Sequence, residues 1–166
     1  MARDAHIEID LATQQLTLWR RGAAARRWPV STASRGPGEE FGSERTPRGR
    51  HVVRARIGAG LPRGAVLVGR RPTGETWSPE LARAHPGRDW ILSRILWLSG
   101  LERGRNRLGA VDTMRRYIYI HGTPDDQPVG RPGSHGCIRM RNDDVIELFE
   151  LVEAGTEVLI DEGPRS

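Results

Sequence analysis

The segment from His6 to Trp19, "HIEIDLATQQLTLW", alternates apolar and polar residues: Ile7, Ile9 and Leu11, then Leu16 and Leu18. An extended chain repeats a face every two residues and a helix about every 3.6, so this pattern calls for half-buried strands. The Ala12–Gln15 link is short enough to join the two runs as a hairpin. "RWPVSTA", "GRHVVRARIG" and "AVLVGRR" carry further strand signals, separated by Gly and Pro punctuation. A chain that opens this way is committed to a mainly β fold.

The remaining segments refine that expectation. Residues 34–49 form one long loop. Residues 71–87, with Pro72, Gly74, Pro79 and Pro86, form an irregular excursion holding one helical turn at Pro79–Ala84. Loops of this length inside a compact fold are usually functional or mobile. "DWILSRILWLSG" lacks a clean period and fits either a helix or two short strands; its flanking Gly and Pro residues, with Ile and Trp, favour the strands. In "RYIYIHGT", Ile118 and Ile120 face one side and Tyr117, Tyr119 and His121 the other, so a buried strand ends in a histidine. "RNDDVIELFELVEAGT" is the one clear helix. It has Asn142 or Asp143 as N-cap, an apolar face of Val145, Ile146, Phe149 and Val152, and Gly155 as terminator. "TEVLID" adds a final strand. No repeat or linker interrupts the 166 residues, which suit a single domain over residues 1–166.

Charge and cysteine usage narrow the function. The net charge is +5, yet all 26 basic side chains are arginine and they lie scattered among acids rather than in blocks. That argues against nucleic acid as a partner and favours small anionic ligands. The N-terminus lacks the apolar core of a secretory signal, and no run approaches the roughly 20 apolar residues of a membrane span. A cytoplasmic protein without a membrane partner is expected, or a periplasmic one if an export segment preceded this sequence. A single cysteine excludes an internal disulfide and leaves a free thiol.

That cysteine lies in "GSHGCIRM". If a strand begins at Gly136, His135 and Cys137 share a face with α-carbons about 7 Å apart. Gly136 lets successive N–H groups approach a developing oxyanion. His121 ends the preceding strand, and "GTPDDQPVGRPGS" can fold back to bring it beside Cys137. An imidazole accepts a thiol proton and makes a nucleophile, provided its other nitrogen is fixed, here by the Gly122 carbonyl. Arg139, two residues beyond Cys137, suits a substrate carboxylate. Two plainer readings stand beside this one. A lone Cys is often a small buried hydrophobe, and Cys137 with two histidines is three-quarters of a zinc site, with Asp125 or Asp126 as a fourth ligand. His6, His51 and His85 read as surface or structural; Trp77, Trp90 and Trp97 as core or cleft wall.

"YIHGT" followed, after a Gly/Pro-rich loop, by "SHGCIRM" resembles the signature of the L,D-transpeptidase (YkuD) catalytic domain. "ERTPRGRHVV" is similar to that family's Thr-Pro-x-Gly segment entering a strand. The resemblance implies a β-sandwich of mixed sheets with one helix after the cysteine, and no cofactor or metal. It implies Cys137 as nucleophile, His121 as base oriented by Gly122, and His135 lining the site. Gly136 and Cys137 would form the oxyanion hole, with Arg139, Ser134 and Tyr119 binding substrate. The implied substrate is the bond from meso-diaminopimelate to D-Ala in peptidoglycan tetrapeptides or muropeptides. Water as acceptor makes an L,D-carboxypeptidase, the expectation for a leaderless enzyme of muropeptide recycling; a stem amine makes a cross-linking L,D-transpeptidase. A non-catalytic zinc or nucleic-acid binding domain is the alternative of another class.

Overall fold

The computed structural model describes residues 4–162. β1 (Ala5–Asp10) and β2 (Gln15–Arg20) form the expected antiparallel hairpin, and β3 (Ala23–Pro29) continues it at the sheet edge. Ile7, Ile9, Leu16 and Leu18 are all buried, as the period of two requires. Then come β4 (Gly49–Ile57), β5 (Ala65–Val68), β6 (Arg71–Thr76), α1 (Pro79–Ala84) and β7 (Ile91–Gly100). β8 (Tyr119–Thr123), β9 (Ile138–Arg141), α2 (Asn142–Leu151) and β10 (Glu157–Asp161) complete the order. The strands join in one curled mixed sheet, β3-β2-β1-β10-β4-β7-β5-β6, with β8 branching from β7 and carrying β9. β10 runs parallel to β1, and β9 parallel to β8.

α2 lies against this sheet. Its Val145, Leu148, Phe149 and Val152 join Ile7, Leu16, Leu96, Ile120 and Ile138 in one buried cluster. Each such side chain contributes about 1.5–3 kcal/mol by leaving water. A smaller cluster of Leu67, Ile95 and Tyr119 sits where β5, β7 and β8 meet, with Trp97 and Cys137 packed on its margin.

Several local expectations are corrected. Residues 71–76 are strand β6, a hairpin partner for β5 that the Pro and Gly residues concealed. "DWILSRILWLSG" yields one strand, β7, whose register shifts between Leu92 and Ile95 around Ser93 at φ 71°. Leu92 to Leu96 are all buried, so the run shows no period. Leu148 rather than Ile146 completes the helix face, and α2 ends at Leu151, before Gly155. Arg141 occupies the N-cap without a side-chain bond, because the Asn142 side chain turns inward. There its Nδ2 donates to the Thr123 carbonyl (2.9 Å), and its Oδ1 accepts from Ser93 Oγ (2.6 Å). Ser93 Oγ in turn accepts from Gly64 N–H (2.9 Å). This buried chain ties the bulge of β7 to the end of β8 and the start of α2.

Candidate active site

β8 and β9 bring the sequence-singled residues together. In their parallel register His121 faces Arg139, which sets Cys137, just before β9, beside Tyr119 and one diagonal step from His121. The Cys137 Sγ donates to the Tyr117 carbonyl and accepts from Tyr119 N–H, both at 3.4 Å. His121 is buried, and its Nδ1 lies 2.7 Å from the Gly122 carbonyl, which fixes a proton on Nδ1 and leaves Nε2 as the basic nitrogen. Gly122 must be glycine: a Cβ there would come within 2.5 Å of both the Leu92 carbonyl and Asn142 Oδ1. The inward turn of Asn142 and the close approach of β7 thus define where the imidazole sits.

Both groups are neutral at rest. Burial pushes the Cys137 thiol up to about 11, opposed by the Tyr119 N–H and by the cations of Arg139 and Arg116. Burial also pulls His121 below its ordinary value, against the Gly122 bond and the Asp89 charge. A preformed thiolate, the simplest expectation from a Cys–His pair, is therefore not the resting state. The arrangement suits proton transfer during attack.

The turn before β9 departs from expectation. The strand begins at Ile138, not Gly136, because Gly136 adopts φ 131°, a conformation closed to other residues without strain. His135 is exposed. Ser134 is buried, with its Oγ donating to the Cys137 carbonyl (2.6 Å) and accepting from Gly136 N–H (3.2 Å). That serine braces the turn, and the Gly136 amide is already engaged. Thr46, in the "TPRG" segment, completes the brace: its Oγ1 donates to the Gly136 carbonyl (2.9 Å) and accepts from Ala33 N–H (2.9 Å). Arg116 links the 34–49 loop to the site through the Gly38 and Arg45 carbonyls.

Two flanks border the thiol. On one, Tyr119 Oη accepts from Arg70 (2.9 Å), whose guanidinium lies 4.7 Å from the Trp97 ring and 4.8 Å from that of Tyr117. On the other, Arg139 donates to the Gly133 carbonyl (3.0 Å) and to Asp89 (3.2 Å). Asp89, just before β7, carried no motif and escaped sequence reasoning, as did Arg116; Asn142 read only as a helix cap. The zinc alternative finds no ligand set: among the described residues no three His, Cys, Asp or Glu side chains converge. Asp125 instead pairs with Arg63 (2.9 Å). His6 stacks on Trp19, and His51 is buried between the Gly49 carbonyl and Thr113.

A tethered imidazole one diagonal step from a thiol, in a mainly β fold, is the arrangement that cysteine-based acyl transfer requires. The profile of the L,D-transpeptidase catalytic domain (YkuD) matches residues 4–160, and the chain belongs to that family. It is 47% identical over 57 residues to the putative L,D-transpeptidase YqjB of Bacillus subtilis, covering 34% of this chain and 32% of that protein. Against the probable L,D-transpeptidase ErfK/SrfK of Salmonella typhimurium it is 32% identical over 117 residues, 63% of this chain and 37% of that one. These matches span about a third of either relative. The fold is similar to the catalytic domain of an E. faecium L,D-transpeptidase acylated by ertapenem. That match has a TM-score of 0.53 and 22% identity, over 95% of this chain and 97% of that one. It is also similar to L,D-transpeptidase 3 of Mycobacterium tuberculosis, with a TM-score of 0.58 and 16% identity, over 96% and 61%.

Proposed function

We propose that the chain is an L,D-carboxypeptidase that removes D-Ala from the meso-diaminopimelate of peptidoglycan tetrapeptides through a Cys137 thioester. The observation that carries acyl transfer is the His121 imidazole, fixed through Nδ1 by Gly122, one diagonal step from the Cys137 thiol. As Sγ bonds to the diaminopimelate carbonyl, its proton passes to His121 Nε2. Collapse of the tetrahedral adduct breaks the C–N bond, and that proton leaves on the nitrogen of D-Ala. Water, deprotonated by the same Nε2, then cleaves the thioester and returns the proton to the thiol. With Gly136 N–H held by Ser134, the Cys137 N–H is the amide assigned to the oxyanion.

Hydrolysis is favoured by the lining of the leaving-group flank. Deacylation retraces acylation, so an acceptor amine must enter where the leaving amine departed, beside His121. That side is lined by the Arg139–Asp89 pair and by Arg88 lying 4.5 Å over the Trp90 ring, groups that suit one charged residue rather than a second stem. Soluble muropeptides in the cytoplasm, where one free thiol stays reduced, are the proposed substrates.

The test is incubation with a disaccharide tetrapeptide followed by mass spectrometry. Tripeptide and free D-Ala with little dimer is the expected result. Predominant cross-linked dimer would make the chain a transpeptidase, and no Cys137-dependent product would reject both readings. A carbapenem should add once to Cys137.

A further inference from the structure

On the leaving-group flank beyond His121 lies an open cleft of about 240 Å³ to which the mechanism above assigns no ligand, lined by Arg88, Asp89, Trp90, Thr123, Gln127 and Arg139. It opens to solvent and has room for at least one amino-acid residue. We infer that this cavity is the leaving-residue subsite and that it selects a C-terminal residue with a free α-carboxylate, which Arg139 binds in place of Asp89. The inference rests on the acyl-transfer reading, because it takes its direction from the proton that His121 must deliver.

Three observations carry it. First, the leaving nitrogen must lie at His121 Nε2, and His121 pairs with Arg139 across β8 and β9. The residue attached to that nitrogen therefore extends past this pair toward Thr123, where the cavity opens. Second, the cavity holds both signs of charge. Arg139 is largely buried, with its side chain 17% exposed, and is held in place by the Gly133 carbonyl. Asp89, 52% exposed on the segment before β7, is the carboxylate on its other terminal nitrogen. A guanidinium with a carboxylate already seated on it is a geometry that a substrate carboxylate reproduces. Third, Arg88 is neutralised by Glu75 (3.0 Å) and lies over Trp90, so it forms wall rather than competing anchor. An amino acid freed in this pocket presents its carboxylate to Arg139 and its ammonium to the displaced Asp89.

The experiment compares a tetrapeptide ending in D-alanine with the same peptide ending in D-alaninamide. Wild type should cleave the acid with kcat/KM at least about tenfold higher, since a site built for a charged group rejects the analogue that lacks it. Arg139→Gln should bring that ratio close to one, and Asp89→Asn should lower KM for the acid alone. Equal turnover of acid and amide by wild type, or a ratio unchanged in Arg139→Gln, overturns the inference. The subsite is also read without turnover. In the Cys137→Ala protein, D-alanine should shift the Trp90 indole resonance and D-alaninamide should not; equal shifts again overturn it. A carbapenem adduct on Cys137 alongside equal acid and amide turnover removes this inference and leaves acyl transfer standing. Absence of both adduct and cleavage removes acyl transfer itself.

Discussion

The two sides of the curled sheet are held together differently. Where α2, packed on β7, β8 and β9, shares its core with β1, β2 and β10, the contacts are apolar, with Phe149, Ile7, Ile9, Leu16 and Leu18 almost wholly out of water. Where β5, β7 and β8 meet, the buried apolar cluster shrinks to Leu67, Ile95 and Tyr119. Polar links take over there: Gly64 to Ser93 to Asn142, Thr46 to Gly136, and Arg70 on Tyr119. Apolar packing is insensitive to direction and supplies bulk stability. Hydrogen bonds fix angles, and a thiol and an imidazole that must exchange a proton need angles. The candidate site lies on the second side, at the margin of the first.

The separation breaks most visibly at the chemistry itself. Cys137→Ala should abolish D-Ala release and carbapenem labelling, as read by intact mass, while thermal melting stays where it was. His121→Ala should lower kcat/KM by about 10²–10⁴-fold, the span of a lost general base. Its loss should leave alkylation of Cys137 by iodoacetamide still rising toward a thiol ionisation near 11.

On the helix side, Phe149→Ala should cost about 3–5 kcal/mol in urea unfolding, while the folded fraction keeps its kcat. Equal damage to kcat would mean the two sides are not separable. His51 adds a pH test. Burial holds it near 4 in the folded protein, against 6.5 as the ordinary value. The unfolded chain therefore binds the extra proton between those values, and stability falls as pH drops from 6.5 through about 4, by up to about 3 kcal/mol. His51→Gln should flatten that slope relative to wild type; an identical slope would assign it to other groups. The smallest effect belongs to the brace. Thr46→Val should cost about 1–3 kcal/mol, because the Ala33 N–H loses its buried partner. Activity should fall with it and return in Thr46→Ser.

The same contrast governs what could be read from the sequence. The helix side was legible because apolar packing leaves a period: Ile7 to Leu18 and Val145 to Val152 announce their faces. The motif residues Cys137 and His121 were legible as chemistry, and the Gly122 carbonyl stands where the tautomer argument requires it. What stayed hidden depends on distant partners. Asn142 looked like a helix cap because nothing nearby in sequence reveals Ser93 and Thr123. Asp89 lies 50 positions from Arg139, in a segment with no pattern. The Gly136 turn was misread as strand because a glycine in sequence does not declare the sign of its φ.

The place of β10 has a consequence for synthesis. β10 lies between β1 and β4, so among the described residues the β3-β2-β1 ribbon is laddered into the sheet through Glu157–Asp161, with one further bridge from Ser31, just past β3, to Arg139. A chain growing on the ribosome has made Cys137 and His121 well before that strand emerges. Until it does, the N-terminal hairpin has no neighbour to hydrogen-bond on its β1 edge, and the core lacks Val158 and Ile160. The reactive thiol should thus be shaped late, when the last strand slides between the first and the fourth.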